Sequence, residues 1–305
     1  MVWLRRIRQS VMLHSFLHDP VAVGSAIFLL FFLIVGFGAP LVAPHNPYDS
    51  ASIDVMDSEK PPVWEEGSDE RFLLGTDAQG RDMLSTILYG LRVSLIIGMG
   101  AVALQAFLGI TVGLIAGYGG RWVDTLFMRL ADVQLSFSTY MIAIFIGAIV
   151  KASLGVGNFE RIAVPFLIVV IGLAEWPQIG RTVRASVLGE KNKEYVEAAR
   201  VIGLPARRIM IRHILPNTLT PVLVISTVQV ANAIMSEAAL SFIGLGMPIT
   251  RPSLGSLIKA GFEYIFSGSW WITILPGIVL VLLILSINLL CDWLRDYLNP
   301  KLYKS

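Results

Sequence analysis

Apolar residues gather in this chain into blocks of about 20, the number a helix needs at 1.5 Å rise per residue to cross a hydrocarbon layer about 30 Å thick. Six blocks reach that length, roughly Val21 to Ala43, Val93 to Tyr118, Leu126 to Val150, Ala163 to Gly180, Leu219 to Leu245 and Trp270 to Leu290. Lipid offers no hydrogen-bond partners, so each block must satisfy its own backbone, as a helix does. An all-α integral membrane protein with six transmembrane helices is expected. The third and fourth blocks are the weakest, because Arg129, Asp132 and Gln134 sit early in one and Glu175 interrupts the other, and a five-span arrangement remains an alternative. Hydrophobic residues make up 55% of the 305, so length alone does not translate into soluble domains.

The first block follows Arg5, Arg6 and Arg8, as a signal peptide would. Its apolar run exceeds a signal core of about 7–15 residues and no small-x-small cleavage site follows, so it reads as a retained span. One cysteine, Cys291, excludes an internal disulfide framework and a multi-thiolate metal site. His14, His18, His45 and His213 all lie outside the blocks, which leaves no intramembrane pair to hold haem or metal.

Orientation follows from Lys and Arg beside the spans, since translocation leaves positive charge in the cytoplasm. Arg5, Arg6 and Arg8, then Arg121 and Arg129, then the run from Arg181 to Arg212, then Arg295, Lys301 and Lys304 occupy alternate segments and belong inside. Both termini are expected to be cytoplasmic. The opposite side receives a long acidic segment from about Pro44 to Arg92, read as a partly ordered external loop or a docking surface for an external partner. Two units are expected: residues 1–70, with the first span and acidic loop, and a core of residues 71–305 with five spans.

Gly109, Gly113 and Gly117 recur every four residues along one face of the second span, which predicts close approach of another helix. Between spans four and five, residues 191–217 read KNKEYVEAARVIGLPARRIMIRHILPN, too polar to span and too periodic for a linker. Two short helices are expected there. Gly203 suits the left-handed residue that ends the first, and Pro205 the first turn of the second. Tyr195, Ala198, Ala199 and Ile202 fall on one face, small enough at the alanines to enter a groove, while Glu197 and Arg200 fall on others.

The run Glu197-Ala198-Ala199, then Gly203, then Leu215-Pro216 resembles the EAA loop of ABC-importer permeases, and Arg212-His213-Ile214-Leu215-Pro216-Asn217 looks like the dipeptide, oligopeptide and nickel branch, in its C-type permease. Leu74-Gly75-Thr76-Asp77 with Gly80-Arg81-Asp82, Gly117-Tyr118-Gly119-Gly120 with Asp124, and Glu237 with Leu240 to Gly246 resemble the same branch. The resemblance implies a type I importer permease of the bacterial inner membrane, not itself an enzyme, in which Tyr195, Glu197, Ala198, Ala199, Arg200, Gly203, Arg212, His213 and Pro216 dock on a cytoplasmic ATPase. It implies a homologous permease as heterodimer partner, two ATPase subunits carrying ATP and Mg, an external binding protein and a short peptide as cargo, with membrane lipid around the spans and no nucleic acid. No cofactor is expected on this chain.

The residues agree that energy must arrive from outside, because no GxxxxGK[ST] phosphate loop occurs. Gln229, Asn232 and Glu237 in span five are candidate translocation-path groups, with Glu175 in span four as another, since an intramembrane ionisable or amide group usually faces a cavity or a partner. Glu237 is open between a vestibule wall and a structural hydrogen bond. Glu175 precedes Trp176-Pro177, where a proline frees a backbone carbonyl, and a structural role is favoured. Arg129 and Asp132 are expected to pair locally, and Trp270 and Trp271 to sit in an aromatic belt. A nickel or oligosaccharide importer, or an ion-coupled secondary transporter, remain as alternatives.

Overall fold

The computed structural model describes residues 11–49 and 53–298, and the basic residues Arg5, Arg6, Arg8, Lys301 and Lys304 lie outside them. Among the described residues the regular structure is helical, with one isolated bridge between Thr76 and Asp82 as the only extended pairing. The helices are α1 (Val11–His18), α2 (Pro20–Phe37), α3 (Ala39–Val42), α4 (Met83–Tyr118), α5 (Arg121–Leu135), α6 (Thr139–Leu154), α7 (Val156–Glu190), α8 (Glu194–Val201), α9 (Ala206–Ile209), α10 (Leu215–Ile243), α11 (Leu254–Phe262) and α12 (Trp271–Tyr297).

Five helical stretches are long and apolar enough to cross a bilayer: Pro20–Phe37, Met83–Tyr118, Gly157–Glu190, Ala206–Ile243 and Trp271–Tyr297. Their outward faces are as greasy as their inward ones. On α2, Ile27 is 62% exposed and Ile34 61%, although mean hydropathy over this helix is 2.5. A helix apolar all round and mostly uncovered by protein needs an apolar solvent.

The third block is not a continuous helix. Arg121–Leu135 and Thr139–Ser153 are bent by 81° at Ser136-Phe137-Ser138, so the count is five spans, or six if this bent pair is one. The Ser136 hydroxyl donates to the Asp132 carbonyl at 2.8 Å, giving the backbone a partner that competes with continued helix. Within α5 the polar residues claim one side and Ala131 is its buried residue.

Three further boundaries depart from the sequence reading. Span two begins ten residues before Val93, at Met83, because the Asp82 carboxylate caps the helix by accepting from the Ser85 amide at 2.9 Å, and Met83, Ile87 and Leu91 are core residues. Arg92 therefore lies inside a helix rather than in the outer segment. The fourth span runs unbroken through Pro165 and Pro177 to Glu190. A short helix that hydropathy did not signal, α11, is set by a capping box at Ser253 and Ser256 and packs its Leu254 and Leu257 into the core.

The glycine stripe of span two works as its spacing predicts. A Cβ at Gly109 would stand 2.8 Å from Ile179 Cβ, at Gly113 2.6 Å from the Gly180 carbonyl oxygen, and at Gly117 2.7 Å from Val187 Cβ. α4 and α7 thus touch backbone to side chain along three turns.

The two ends of the bundle separate chemically. At one end Lys191 Nζ donates to the Gly117 carbonyl at 3.0 Å, Arg184 grips Asp124, and Phe16 of α1 meets Trp293 of α12 edge-on at 5.0 Å. At the other, the described residues between 44 and 82 form a folded cap: Ser269 donates to Glu59 at 2.7 Å, Trp270 Nε1 to Glu65 at 2.9 Å, and Trp271 Nε1 to the Thr76 carbonyl at 3.0 Å. The indoles expected to sit in an aromatic belt instead anchor this cap, with Trp271 buried.

Candidate functional site

The polar segment after α7 folds onto the ends of three helices, α4, α7 and α10. Lys193 closes on Glu190 at 2.6 Å, and the chain turns into α8, whose Val196 and Ala199 are buried among Val183, Val187, Ile209, Ile214 and Val222. The helix then ends at Gly203, which sits at φ +82°, the left-handed conformation where a Cβ is penalised. Gly203 N donates to the Arg200 carbonyl at 2.9 Å and Leu204 N to the Ala199 carbonyl at 3.1 Å, the paired bonds of a Schellman stop.

Pro205 caps the next helix, one position earlier than expected. The second short helix is not separate: α9 passes through a π-helical turn at Met210–Ile214 directly into α10. Pro216 explains the wider turn. Its ring lacks an N–H and crowds the carbonyl four residues back, at Arg212, and a π turn there relieves the clash. α9 and α10 are therefore one continuous helical stretch, Ala206–Ile243, while α8 is joined to it through the turn at Gly203.

The expected groove-facing surface is divided. Ala199 turns inward with Val196, whereas Ala198 stays exposed and Val201 and Ile202 project at 89% and 76% exposure. Glu197 is exposed and makes no side-chain hydrogen bond or ion pair among the described residues. The Arg200 guanidinium lies 5.4 Å from the Tyr118 ring, touching the end of α4. The Tyr195 hydroxyl donates to Glu190 at 2.5 Å and accepts from Asn217 at 3.1 Å, and burial, reinforced by the Glu190 carboxylate, pushes it above its usual range. Arg212 and Pro216 are exposed, and the His213 carbonyl accepts from Asn217 at 2.9 Å.

A second cluster runs through the bundle. Gln229 Nε2 donates to Gln105 at 3.2 Å, Gln105 Nε2 to Glu175 at 3.4 Å, Ser236 to Glu175 at 3.2 Å, and Asn232 Nδ2 to Gln229 at 2.9 Å. This ties α4, α7 and α10. Gln229 is enclosed; Asn232 is partly exposed, on a face of α10 shared with Val228, Met235 and Phe242. Nearer the cap, Glu237 is wholly buried and accepts from Ser94 at 2.9 Å and Ser241 at 2.6 Å. Gln105, Ser94 and Ser236 were not singled out from sequence, since one small polar residue in an apolar run carries no period.

Asp132 pairs with Arg181 at 2.6 Å, across helices, and not with Arg129. Spacing of three within one helix allows a pair, but the α7 guanidinium reaches the carboxylate first. Among the described residues no three His, Cys, Asp or Glu side chains gather as metal ligands would.

Residues 109–304 match the family model described as binding-protein-dependent transport system inner membrane component, and residues 10–62 match the N-terminal TM domain of oligopeptide transport permease C. The chain is 38% identical to the di/tripeptide transport system permease protein of Pseudomonas aeruginosa (strain UCBPP-PA14), over 94% of this chain and 90% of that one. It is 36% identical to the dipeptide transport system permease proteins of Haemophilus influenzae, over 90% and 89% of the two chains, and of Escherichia coli (strain K12), over 95% and 92%. Among solved structures it resembles an inward-facing methionine ABC transporter with a TM-score of 0.56 at 18% identity, covering 71% of this chain and 98% of that one, a likeness of fold alone.

Proposed function

From membership in the family of binding-protein-dependent transport system inner membrane components, to which this chain belongs, we propose that it is one of two homologous permeases of an ATP-driven importer of short peptides. The peptide cargo is supported by relatives named for dipeptide and di/tripeptide transport over nearly their whole length. The ATPases, with their ATP and Mg, are separate subunits, and this chain binds no cofactor of its own.

The observation that carries the reading is the segment from Lys191 to Asn217. Its inner face, Val196 and Ala199, is locked to the core, while Glu197, Ala198, Val201 and Ile202 stand exposed, with no partner for Glu197 among the described residues. Shifting a two-state transporter from mostly one conformation to mostly the other needs about 5.5 kcal/mol of differential binding, which a rigid contact must transmit. Tyr195, Glu197, Ala198, Arg200, Arg212, His213 and Pro216 form that contact, with Gly203 setting its shape and Ala199 fastening it. The continuous helix into α10 carries the displacement.

The segment faces the cytoplasm, as do both termini, because the basic residues Arg121, Arg181, Arg184, Arg207, Arg208 and Arg212 gather at that end of the bundle. Cargo passes along the α10 face bearing Asn232, against the partner permease, with Gln229 and Glu237 holding that helix from behind. The external binding protein docks at the end bearing the 44–82 cap.

Expression with the neighbouring genes of its operon, purification in detergent and an ATPase assay with and without binding protein and Ala-Ala test the reading. Co-purification of a second permease and ATPase, with turnover stimulated by peptide-loaded binding protein, is expected. A lone chain that moves solute without nucleotide would overturn it in favour of a secondary transporter.

A further inference from the structure

A cavity of ≈ 450 Å³ opens under the 44–82 cap, between the α6/α7 corner, the end of α10 and α11. That volume lies in the range of small-molecule sites, about 300–1,000 Å³. Its charge arrangement is unusual. Lys151 Nζ donates to the Gly244 carbonyl at 3.0 Å and stands 4.7 Å from the Phe159 ring. The Lys259 ammonium reaches the same glycine, where it would stand 2.5 Å from an added Cβ.

Two ammonium groups thus converge on one helix end, and among the described residues neither has a carboxylate within ion-pair distance. One helix C-terminus offers only partial negative charge, about half an electron, against two full positive ones. Each ammonium also carries three donors, so one carbonyl leaves most of them free.

The same cavity is lined by Glu160 and Glu263, which likewise have no ion-pair partner among the described residues. Glu160 accepts a weak bond from Thr250 at 3.4 Å. Asp77, also in the wall, is already neutralised by Arg81 at 2.6 Å, and Arg81 in turn donates to the Ile249 carbonyl at 2.9 Å. The wall therefore carries two ammoniums, Lys151 and Lys259, and two carboxylates, Glu160 and Glu263, that form no ion pair among the described residues.

We propose that this cavity is a binding site for the zwitterion of a short peptide, with the peptide carboxylate between Lys151 and Lys259 and its ammonium toward Glu160 and Glu263. A carboxylate placed there relieves the repulsion of two adjacent ammoniums and accepts charge-assisted hydrogen bonds from both. The site gives this subunit its own hold on cargo, on the cap side of the bundle and independent of any external protein. The peptide identity of the ligand rests on the reading of the chain as a peptide importer, whereas the demand for a carboxylate rests on the lysines.

The test uses the full chain in phosphatidylcholine nanodiscs, titrated calorimetrically with Ala-Ala, Ala-Ala amide and N-acetyl-Ala-Ala. Ala-Ala should bind, and masking either charged end should weaken binding at least tenfold. Lys259→Met, at an exposed position, should weaken Ala-Ala by the same factor yet leave the amide unchanged, and Lys259→Arg should restore binding. Equal affinity for acid and amide, or no peptide binding by a chain that remains monodisperse, overturns the proposal. Native mass spectrometry of protein from cell membranes showing a phospholipid retained by wild type and lost in Lys259→Met, with no peptide bound, would overturn it in favour of a lipid headgroup. Uptake of Ala-Ala by the assembled importer, measured in parallel, separates the two failures: uptake without binding here sinks the cavity alone, and no uptake sinks the peptide reading.

Discussion

The hydroxyl of Ser94 donates to the buried carboxyl of Glu237 at 2.9 Å, joining α4 to α10 across 143 positions of sequence. Ser241 adds a second donor to the same carboxyl at 2.6 Å, and Ser94 also accepts from the Leu254 amide at 3.3 Å, so three helices meet at one acidic side chain. Replacing Glu237 with Leu leaves Ser94 and Ser241 buried without their acceptor, a loss of about 1–3 kcal/mol for each orphaned group. Glu237→Gln keeps an acceptor oxygen. The leucine variant should therefore melt well below wild type in a detergent thermal-shift assay and the glutamine variant close to it; identical melting of both would remove the carboxyl from the list of structural groups.

Gly113 faces the Gly180 carbonyl oxygen at a distance no side chain tolerates. Gly113→Val forces α4 and α7 apart, and overpacking of this kind costs about 1–3 kcal/mol. The expected result is a lowered melting temperature and reduced membrane yield, compared with Gly24→Val, where nothing lies within 4 Å of an added Cβ.

Glu197 has no partner among the described residues, so Glu197→Lys should leave folding and membrane level intact while uptake driven by ATP falls at least tenfold. Immunoblotting of membranes and transport into proteoliposomes measure the two separately. Gly203→Ala places a Cβ in a left-handed conformation with free space around it, a penalty of about 1–2 kcal/mol confined to the end of α8. Uptake by this variant should drop less than by Glu197→Lys, and equal loss would mean that shape rather than charge dominates the contact.

Lys60 holds Asp57 at 2.5 Å and Asp69 at 2.8 Å, and Arg71 bridges the same two carboxylates. The Lys60 ammonium keeps Asp57, and the Arg71 guanidinium keeps Asp69, below the ordinary carboxylate value of 3.8. A pKa depressed by folding contributes stability above the unfolded value and loses it as pH falls through the folded one. The cap should accordingly hold at pH 4 and above and loosen as pH falls below 3.8. Pepsin cleavage within residues 57–71 should accelerate in wild type as pH falls from about 3.9, where unfolded aspartates are half protonated, toward about 2. In a Lys60→Ala/Arg71→Ala variant that step should be absent.

Much of the fold was legible because its causes are local. A block of about 20 apolar residues must be a helix in lipid whatever surrounds it. The stripe from Gly109 to Gly117 announced a close helix neighbour, and Gly203 announced a helix stop, since a missing Cβ is a property of the residue itself. The candidate coupling surface was also written locally, as a run of small and charged residues at helical spacing.

Tertiary structure decided what depends on distant partners. The choice of Arg181 over Arg129 by Asp132 follows from where α7 lies. So does the division of the α8 face, with Ala199 turned inward against Val187 and Ile214 while Ala198 stays out. Glu237 reads in sequence as a charge in a membrane span, and only the approach of Ser94 and Ser241 makes it the junction of α4, α10 and α11. Burial of a polar group is set by what comes to meet it, and residues more than a hundred positions away carry no local signature of that meeting.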